Sequence, residues 1–316
     1  MELRKDYILN RWAYISEVRE KRHSNFKFVQ NSIEVPHPKS CPFCIGAENQ
    51  TPDEKGRVVE SGRRKWLIRW VANKYSALEL HEYGKILSEN TFFKAYSPYG
   101  LQEVIIETPD KKQMADFSHD HLVLILKVYN NRIEELSKIE GINYVMVFKN
   151  QGREAGASII HSHSQVVAVG KVPALIAEEV KEFNTYQECP YCNVIEAERM
   201  GPRKVFENED FVAFTPYAPR FNYEIRVYPK KHMRKLSELQ NEQYFNLADI
   251  LKKILHKLQE LNASYCFYIQ YAPKDQDFHW HLEILPRLSN LAGFELSGGD
   301  GLIGVSPEDA ANFYRN

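Results

Sequence analysis

Residues 150–165 read Asn-Gln-Gly-Arg-Glu-Ala-Gly-Ala-Ser-Ile-Ile-His-Ser-His-Ser-Gln, and this segment carries the strongest chemical signal in the chain. It predicts a strand, a glycine-containing turn, and then an extended run in which residues two apart share a face. His161, His163 and Gln165 therefore line one side, with Ser162 and Ser164 on the other. A neutral imidazole with one ring nitrogen tied down as N–H and the other free is a good nucleophile toward a phosphoanhydride. The phosphohistidine so formed is high in energy and can pass its group to a second phosphate. Gln165, Ser158 and the backbone amides around Gly156 can donate to the nonbridging oxygens, where charge builds in the transition state. A histidine that only ligates a metal or fills a core needs neither the adjoining glutamine nor the Gly/Ser turn. His163 is therefore read as the nucleophile.

Four of the five cysteines form two short pairs, Cys41-Pro-Phe-Cys44 and Cys189-Pro-Tyr-Cys192. Such pairs act as metal ligands or as redox dithiols. A redox pair would need a thioredoxin-like βαβ setting, which precedes neither, so metal is the better reading. Zinc takes four ligands in a tetrahedron, and thiolates with imidazoles supply them. The second pair has a full set in Cys189, Cys192, His232 and His279, a closed and therefore structural zinc site. The first has Cys41, Cys44 and His161, and the position matching His232 falls near Asp110-Lys111-Lys112. Asp110, His119 or His37 could complete it, or the site could lack metal.

The elements that position these residues occur twice. A strand-like stretch ending near a proline follows each cysteine pair, at 103–109 and 224–229. An amphipathic helix comes next, over about 119–138 and about 236–261, then a β-rich run at 144–151 and 265–272, then a His-x-His. Two related α+β halves are expected, 1–175 and 176–316, joined through 170–188. Glu178, Glu179 and Glu182 on that joining segment read as a solvated helix face. The second His-x-His is followed by Leu-Glu283 rather than Ser-Gln, so His279 is read as a ligand and His281 as structural or close to a sugar.

Forty-one basic and 42 acidic residues give a formal charge of -1, against the basic excess of a dedicated nucleic-acid binder. No window of about 18 uninterrupted apolar residues suggests a membrane span. The first residues, MELRKDYILNRW, lack the apolar core of a secretory signal, so a cytoplasmic location is expected.

These motifs together resemble the galactose-1-phosphate uridylyltransferase family of the histidine triad superfamily: C-x-x-C, a distant N-x-G turn, then H-x-H-x-Q. The resemblance implies that His163 is uridylylated, His161 ligates zinc, and Gln165 steadies the phosphate with Asn150 and Ser158. It places Arg19 and Arg22 near the nucleotide phosphates, Asn73-Lys74-Tyr75 beside base and ribose, and Phe294 and Glu295 near the sugar. It further implies two histidine-triad-like halves, antiparallel half-barrel sheets with flanking helices, and a homodimer acting on nucleotide-sugar and sugar-phosphate substrates. The implied reaction is ping-pong: UDP-glucose uridylylates His163, and galactose 1-phosphate takes the uridylyl group. Departures fall mainly around base and sugar. Ser162 replaces the usual middle proline, Lys111 the third zinc ligand of the first half, and Lys74 an acidic residue beside the ribose. The stretch after Glu295 lacks a glutamine that some relatives use on the sugar. These changes motivate a second reading, an adenylyl-transferring phosphorylase that moves AMP from an ADP-sugar or a dinucleotide onto inorganic phosphate. A third, a zinc-stabilised nucleotide- or RNA-binding module without chemistry, sits poorly with the neutral charge.

Overall fold

The structure is a computed structural model that describes residues 1–16, 41–60, 62, 65–81, 83–274 and 276–316. It is an α+β protein built on one ten-stranded sheet, antiparallel throughout. A short sheet pairs β1 (Glu2–Lys5) with β2 (Trp12–Ile15). The large sheet takes β3 (Glu54–Val59) and β4 (Trp66–Ala72), and an exposed hairpin follows as β5 (Ile86–Glu89) and β6 (Lys94–Tyr96). Next come β7 (Gly100–Ile106), helix α1 (His119–Leu136), β8 (Tyr144–Gln151) and β9 (His163–Val169). Helices α2 (Ala174–Phe183) and α3 (Pro190–Arg199) lead to β10 (Lys204–Glu207), β11 (Phe211–Phe214) and β12 (Ile225–Pro229). Helix α4 (Asn241–Glu260), β13 (Tyr265–Gln270) and β14 (His281–Pro286) complete the large sheet. The chain closes with α5 (Gly293–Gly298), β15 (Gly301–Ile303), which joins β2 in parallel, and α6 (Pro307–Arg315).

The expected duplication is visible in the strand order. Read outward from the centre, one side runs β8-β9-β7-β4-β3 and the other β13-β14-β12-β11-β10. These are the same five positions taken in the same chain order. The two matching runs, β8 and β13, meet at the centre, with Lys149 opposite Phe267 and Asn150 opposite Cys266.

Helices α1 and α4 pack on each other and close the core. In α1 the buried residues Leu122, Ile125, Leu126, Tyr129, Ile133 and Leu136 recur at three and four positions, forming one apolar stripe. Each fully buried leucine or isoleucine contributes roughly 1.5–3 kcal/mol. Ser118 caps the helix by accepting from the His121 amide at 3.2 Å. The second helix starts later than the sequence spacing predicts: residues 236–238 form a separate 3-10 turn, and Gln240 caps α4 in extended backbone.

The segment expected to be a solvated link departs from that expectation. Within it, α2 buries Ile176, Val180 and Phe183, and Glu179 falls on the same stripe. Its carboxylate is buried and accepts from the Tyr191 hydroxyl and the Gln270 amide. Glu178 stays exposed and Glu182 is half-buried. Helical periodicity, rather than charge, decided which glutamate faced inward. Among the described residues no helix is long and apolar enough to cross a membrane.

Candidate functional site

Strand β8 delivers the chain into a tight turn at Gly152 and Gly156, with φ of +84° and +85°. A Cβ on Gly152 would lie 2.2 Å from Ser264 Oγ, so sterics and backbone angle both demand glycine there. The chain returns as β9, seated between β7 and β8, with His163 opposite Ile106 and Gln165 opposite both Val104 and Phe148.

At the start of β9 two histidines are linked through the backbone. His163 is 8% exposed, and its Nδ1 lies 2.8 Å from the His161 carbonyl oxygen. That nitrogen is therefore the N–H donor, and Nε2 carries the lone pair. Burial, reinforced by the Lys149 ammonium, lowers the His163 pKa below its ordinary 6.5 and favours the neutral ring. Phe43 packs its ring against this imidazole, with centroids 5.3 Å apart. A ring held in this way can attack phosphorus through Nε2.

His161 faces the first cysteine pair. Its Nδ1 lies 3.6 Å from both Cys41 Sγ and Cys44 Sγ, and its Nε2 donates to the Thr108 carbonyl at 2.7 Å. In the second group, His279 Nδ1 lies 3.8 Å from Cys189 Sγ and 3.6 Å from Cys192 Sγ. His232 Nδ1 is 3.6 Å from Cys192 Sγ. Ligands at about 2.3 Å (sulfur) and 2.0–2.1 Å (nitrogen) from one tetrahedral ion would sit about 3.6 Å apart. The observed separations match that value. The far nitrogens of the second group are also held, His279 Nε2 on the Pro229 carbonyl at 2.8 Å and His232 Nε2 on Asp277 at 2.9 Å. Cys189, Cys192, His232 and His279 can thus hold a metal ion with a complete ligand set. Without one, burial pushes the Cys189 thiol up to about 12 and that of Cys44 up to about 11.

The first group has three ligand residues among the described residues, Cys41, Cys44 and His161. Asp110 lies 3.6 Å from Lys65 Nζ, and His119 stacks on Phe245 with its Nε2 3.5 Å from Asp249. Neither joins the cysteines. His37, Arg19 and Arg22 lie outside the described residues.

Gln165 is half-buried on the same strand face as His163, Asn150 sits at the end of β8, and Ser158 is exposed on the approach to β9. Asn73 accepts from the Tyr75 amide at 2.9 Å, and the Lys74 ammonium lies 5.8 Å from the centre of the largely exposed Tyr75 ring. Phe294 and Glu295 are on α5, where Phe294 packs on Tyr14 and Glu295 accepts from the Ala292 amide. Those contacts are local and do not involve β9.

His281 reproduces the backbone link, with Nδ1 3.1 Å from the His279 carbonyl, but it is fully buried. Its Nε2 is 3.5 Å from Glu283, which Arg220 and Arg226 hold. That burial fits the structural one of its two expected roles.

The sequence reading missed what lies behind β9. Ser162 and Ser164 are buried in a network with Glu107, Tyr129 and Lys149. A signal was present: Val145, Val147 and Lys149 share the inward face of β8, and a lysine there requires an acidic partner.

The model described as "Galactose-1-phosphate uridyl transferase, N-terminal domain" matches residues 3–173, more than half of the chain. The chain belongs to the galactose-1-phosphate uridylyltransferase family. This is a family of nucleotidyl-transferring and phosphorolytic enzymes. A second model, "Domain of unknown function (DUF4921)", matches residues 112–312. ADP-glucose phosphorylase of Arabidopsis thaliana is 34% identical over 99% of this chain and 92% of its own length. Galactose-1-phosphate uridylyltransferase of Thermotoga maritima is 28% identical over 100% of this chain and 98% of its own. The crystal structure of an Arabidopsis thaliana ADP-glucose phosphorylase with bound ADP-glucose superposes with a TM-score of 0.84 at 32% identity, covering 100% of this chain and 98% of that one. Family membership and fold agree with the expectation drawn from the motifs.

Proposed function

We propose that this protein transfers a nucleoside monophosphate from a nucleotide sugar through a covalent bond to His163 Nε2, with ADP-glucose as donor and inorganic phosphate as acceptor. The observation that carries the reading is the His163 ring itself: buried, neutral, and tied through Nδ1–H to the His161 carbonyl. In the first step Nε2 attacks the α-phosphorus, the bond to the bridging oxygen breaks, and glucose 1-phosphate leaves. The ring gains positive charge as it is phosphorylated, and the His161 carbonyl stabilises that charge at the bound N–H. In the second step phosphate attacks the same phosphorus, releasing ADP and restoring the neutral ring. Gln165, Ser158, Asn150 and the amides around Gly156 are assigned to the nonbridging oxygens. Arg19 and Arg22 are assigned to the phosphates, Asn73, Lys74 and Tyr75 to the nucleoside, and Phe294 and Glu295 to the sugar in a homodimer.

Zinc is the ion proposed for both cysteine groups, where it would hold the ligand residues in fixed geometry. In the first half, Cys41, Cys44 and His161 would hold it, so the backbone that orients His163 is anchored at its neighbour.

The preference for adenylyl over uridylyl transfer rests on the 34% identity to the phosphorylase and on the altered ribose and sugar neighbourhoods. The 28% identity to a uridylyltransferase supports the second reading, with UDP-glucose and galactose 1-phosphate. Intact-mass measurement after incubation with ADP-glucose, and separately with UDP-glucose, tests both. An AMP-sized adduct absent from His163→Ala supports the first reading, and a UMP-sized adduct alone supports the second. Full exchange activity in His163→Ala would sink the covalent mechanism.

A further inference from the structure

Lys149 is completely buried, and so is Glu107. Burying two charges costs several kcal/mol per ion unless every donor and acceptor is met. Here they are met. The ammonium donates to Glu107 Oε2 at 2.6 Å, to Ser162 Oγ at 3.0 Å and to the His163 carbonyl at 3.0 Å. Glu107 Oε2 also accepts from Ser162 Oγ at 2.6 Å, while Oε1 accepts from Tyr129 at 2.7 Å and from Ser164. The Glu107 amide in turn donates to the Ser162 carbonyl at 3.2 Å. Both neighbours of His163, and its own carbonyl, are thus clamped from the face opposite the imidazole.

The second half provides an internal control. It keeps the same backbone link between its histidines, with His281 Nδ1 on the His279 carbonyl. The positions of Ser162 and Ser164 are filled there by Trp280 and Leu282, and Ile269 stands at the register position of Lys149, since Tyr268 faces Glu283 as Phe148 faces Gln165. Apolar side chains therefore suffice to build a His-x-His strand of this shape. Among the described residues the Lys149–Glu107 pair has no counterpart behind the second His-x-His strand, whose histidine is fully sealed, whereas His163 keeps 8% exposure. A buried pair is also weak evidence for stability, since apolar replacements of similar volume are often neutral or better.

We propose that Lys149 and Glu107 are positioning residues for His163, fixing the strand so that Nε2 stays in line with the phosphorus. The proposal rests on His163 being the nucleophile. The test uses the full chain and whichever of ADP-glucose or UDP-glucose labels the parent protein. Adduct formation at saturating donor is followed in a single turnover, and binding of the corresponding monophosphate, AMP or UMP, is measured separately. The Lys149→Met, Glu107→Gln double variant removes both charges together. Its adduct formation should slow by about 100-fold, the scale of a misplacement near 1 Å, with monophosphate affinity within about twofold. Ser162→Ala, a milder change, should slow it about tenfold, again without loss of affinity. An unchanged rate in a folded double variant overturns the proposal, as does a parallel loss of affinity. Should the double variant fail to fold, an unchanged rate in Ser162→Ala overturns it instead. A parent protein that forms no adduct on His163 removes the nucleophile reading, and this proposal with it.

Discussion

His161 serves His163 and the first cysteine pair at once: its carbonyl lies 2.8 Å from His163 Nδ1, and its own Nδ1 lies 3.6 Å from Cys41 Sγ and Cys44 Sγ. A metal ion holding the His161 ring would also restrain the residue whose carbonyl selects the tautomer of His163. On the proposed reading, metal occupancy and phosphorus chemistry would be coupled through one residue. Cys41→Ser is expected to lower kcat about tenfold or more while leaving KM nearly unchanged, because losing a group that supports the residue orienting His163 costs about 10–100-fold. Steady-state kinetics on the purified variant checks this.

The second group of candidate ligands, Cys189, Cys192, His232 and His279, is proposed as a structural staple. Cys192→Ser removes the thiol that lies 3.6 Å from both His232 Nδ1 and His279 Nδ1. The expected result is loss of the bound ion and destabilisation on the order of 4 kcal/mol or more. Metal analysis alongside thermal denaturation measures both. Retention of the ion would contradict the four-ligand assignment.

Acid should unfold the protein through its buried carboxylates. Burial by itself would raise the pKa of Asp6, Glu107 and Glu283, but Arg11 with Arg226, Lys149, and Arg220 with Arg226 outweigh it. All three sit below their ordinary values of 3.8 for aspartate and 4.5 for glutamate. A depressed folded-state pKa means the stabilisation is present above the ordinary value and is lost as pH falls through the folded one. Melting temperature should therefore hold level above about pH 5 and drop progressively below about 4. A melting temperature that stays level to pH 2 would show that these pairs contribute nothing.

Gly152 is irreplaceable on two grounds, a φ of +84° and the 2.2 Å approach of a Cβ to Ser264. Gly152→Ala should cost about 1–3 kcal/mol, read from chemical denaturation, and should disturb the turn that leads into β9. Gly156 has the same backbone angle and open space around it. Gly156→Ala should cost about 1–2 kcal/mol, from strain alone.

Gln165 tests the assignment of its amide to a nonbridging oxygen. Gln165→Ala should reduce the rate of adduct formation by about 100-fold, as loss of a transition-state donor does. Gln165→Glu should be at least as impaired, since it places negative charge against the phosphate. Equal rates in all three proteins would move the phosphate site elsewhere.

Much of this molecule was legible along the chain because the relevant patterns are short. The spacing of Cys189 and Cys192, the alternation of His161, His163 and Gln165, and the repeated helix and strand periods are all properties of neighbouring residues. They pointed to the α+β class, the doubled plan, the candidate ligand residues and the candidate nucleophile. Contacts distant in sequence were decided by sheet register and packing. Only the fold brings Glu107 under Ser162 and Lys149, turns Glu179 inward, seals His281, and leaves Asp110 and His119 away from Cys41 and Cys44. A side chain's charge marks it as expensive to bury, but which charge is buried, and against which partner, depends on strands that meet only in three dimensions.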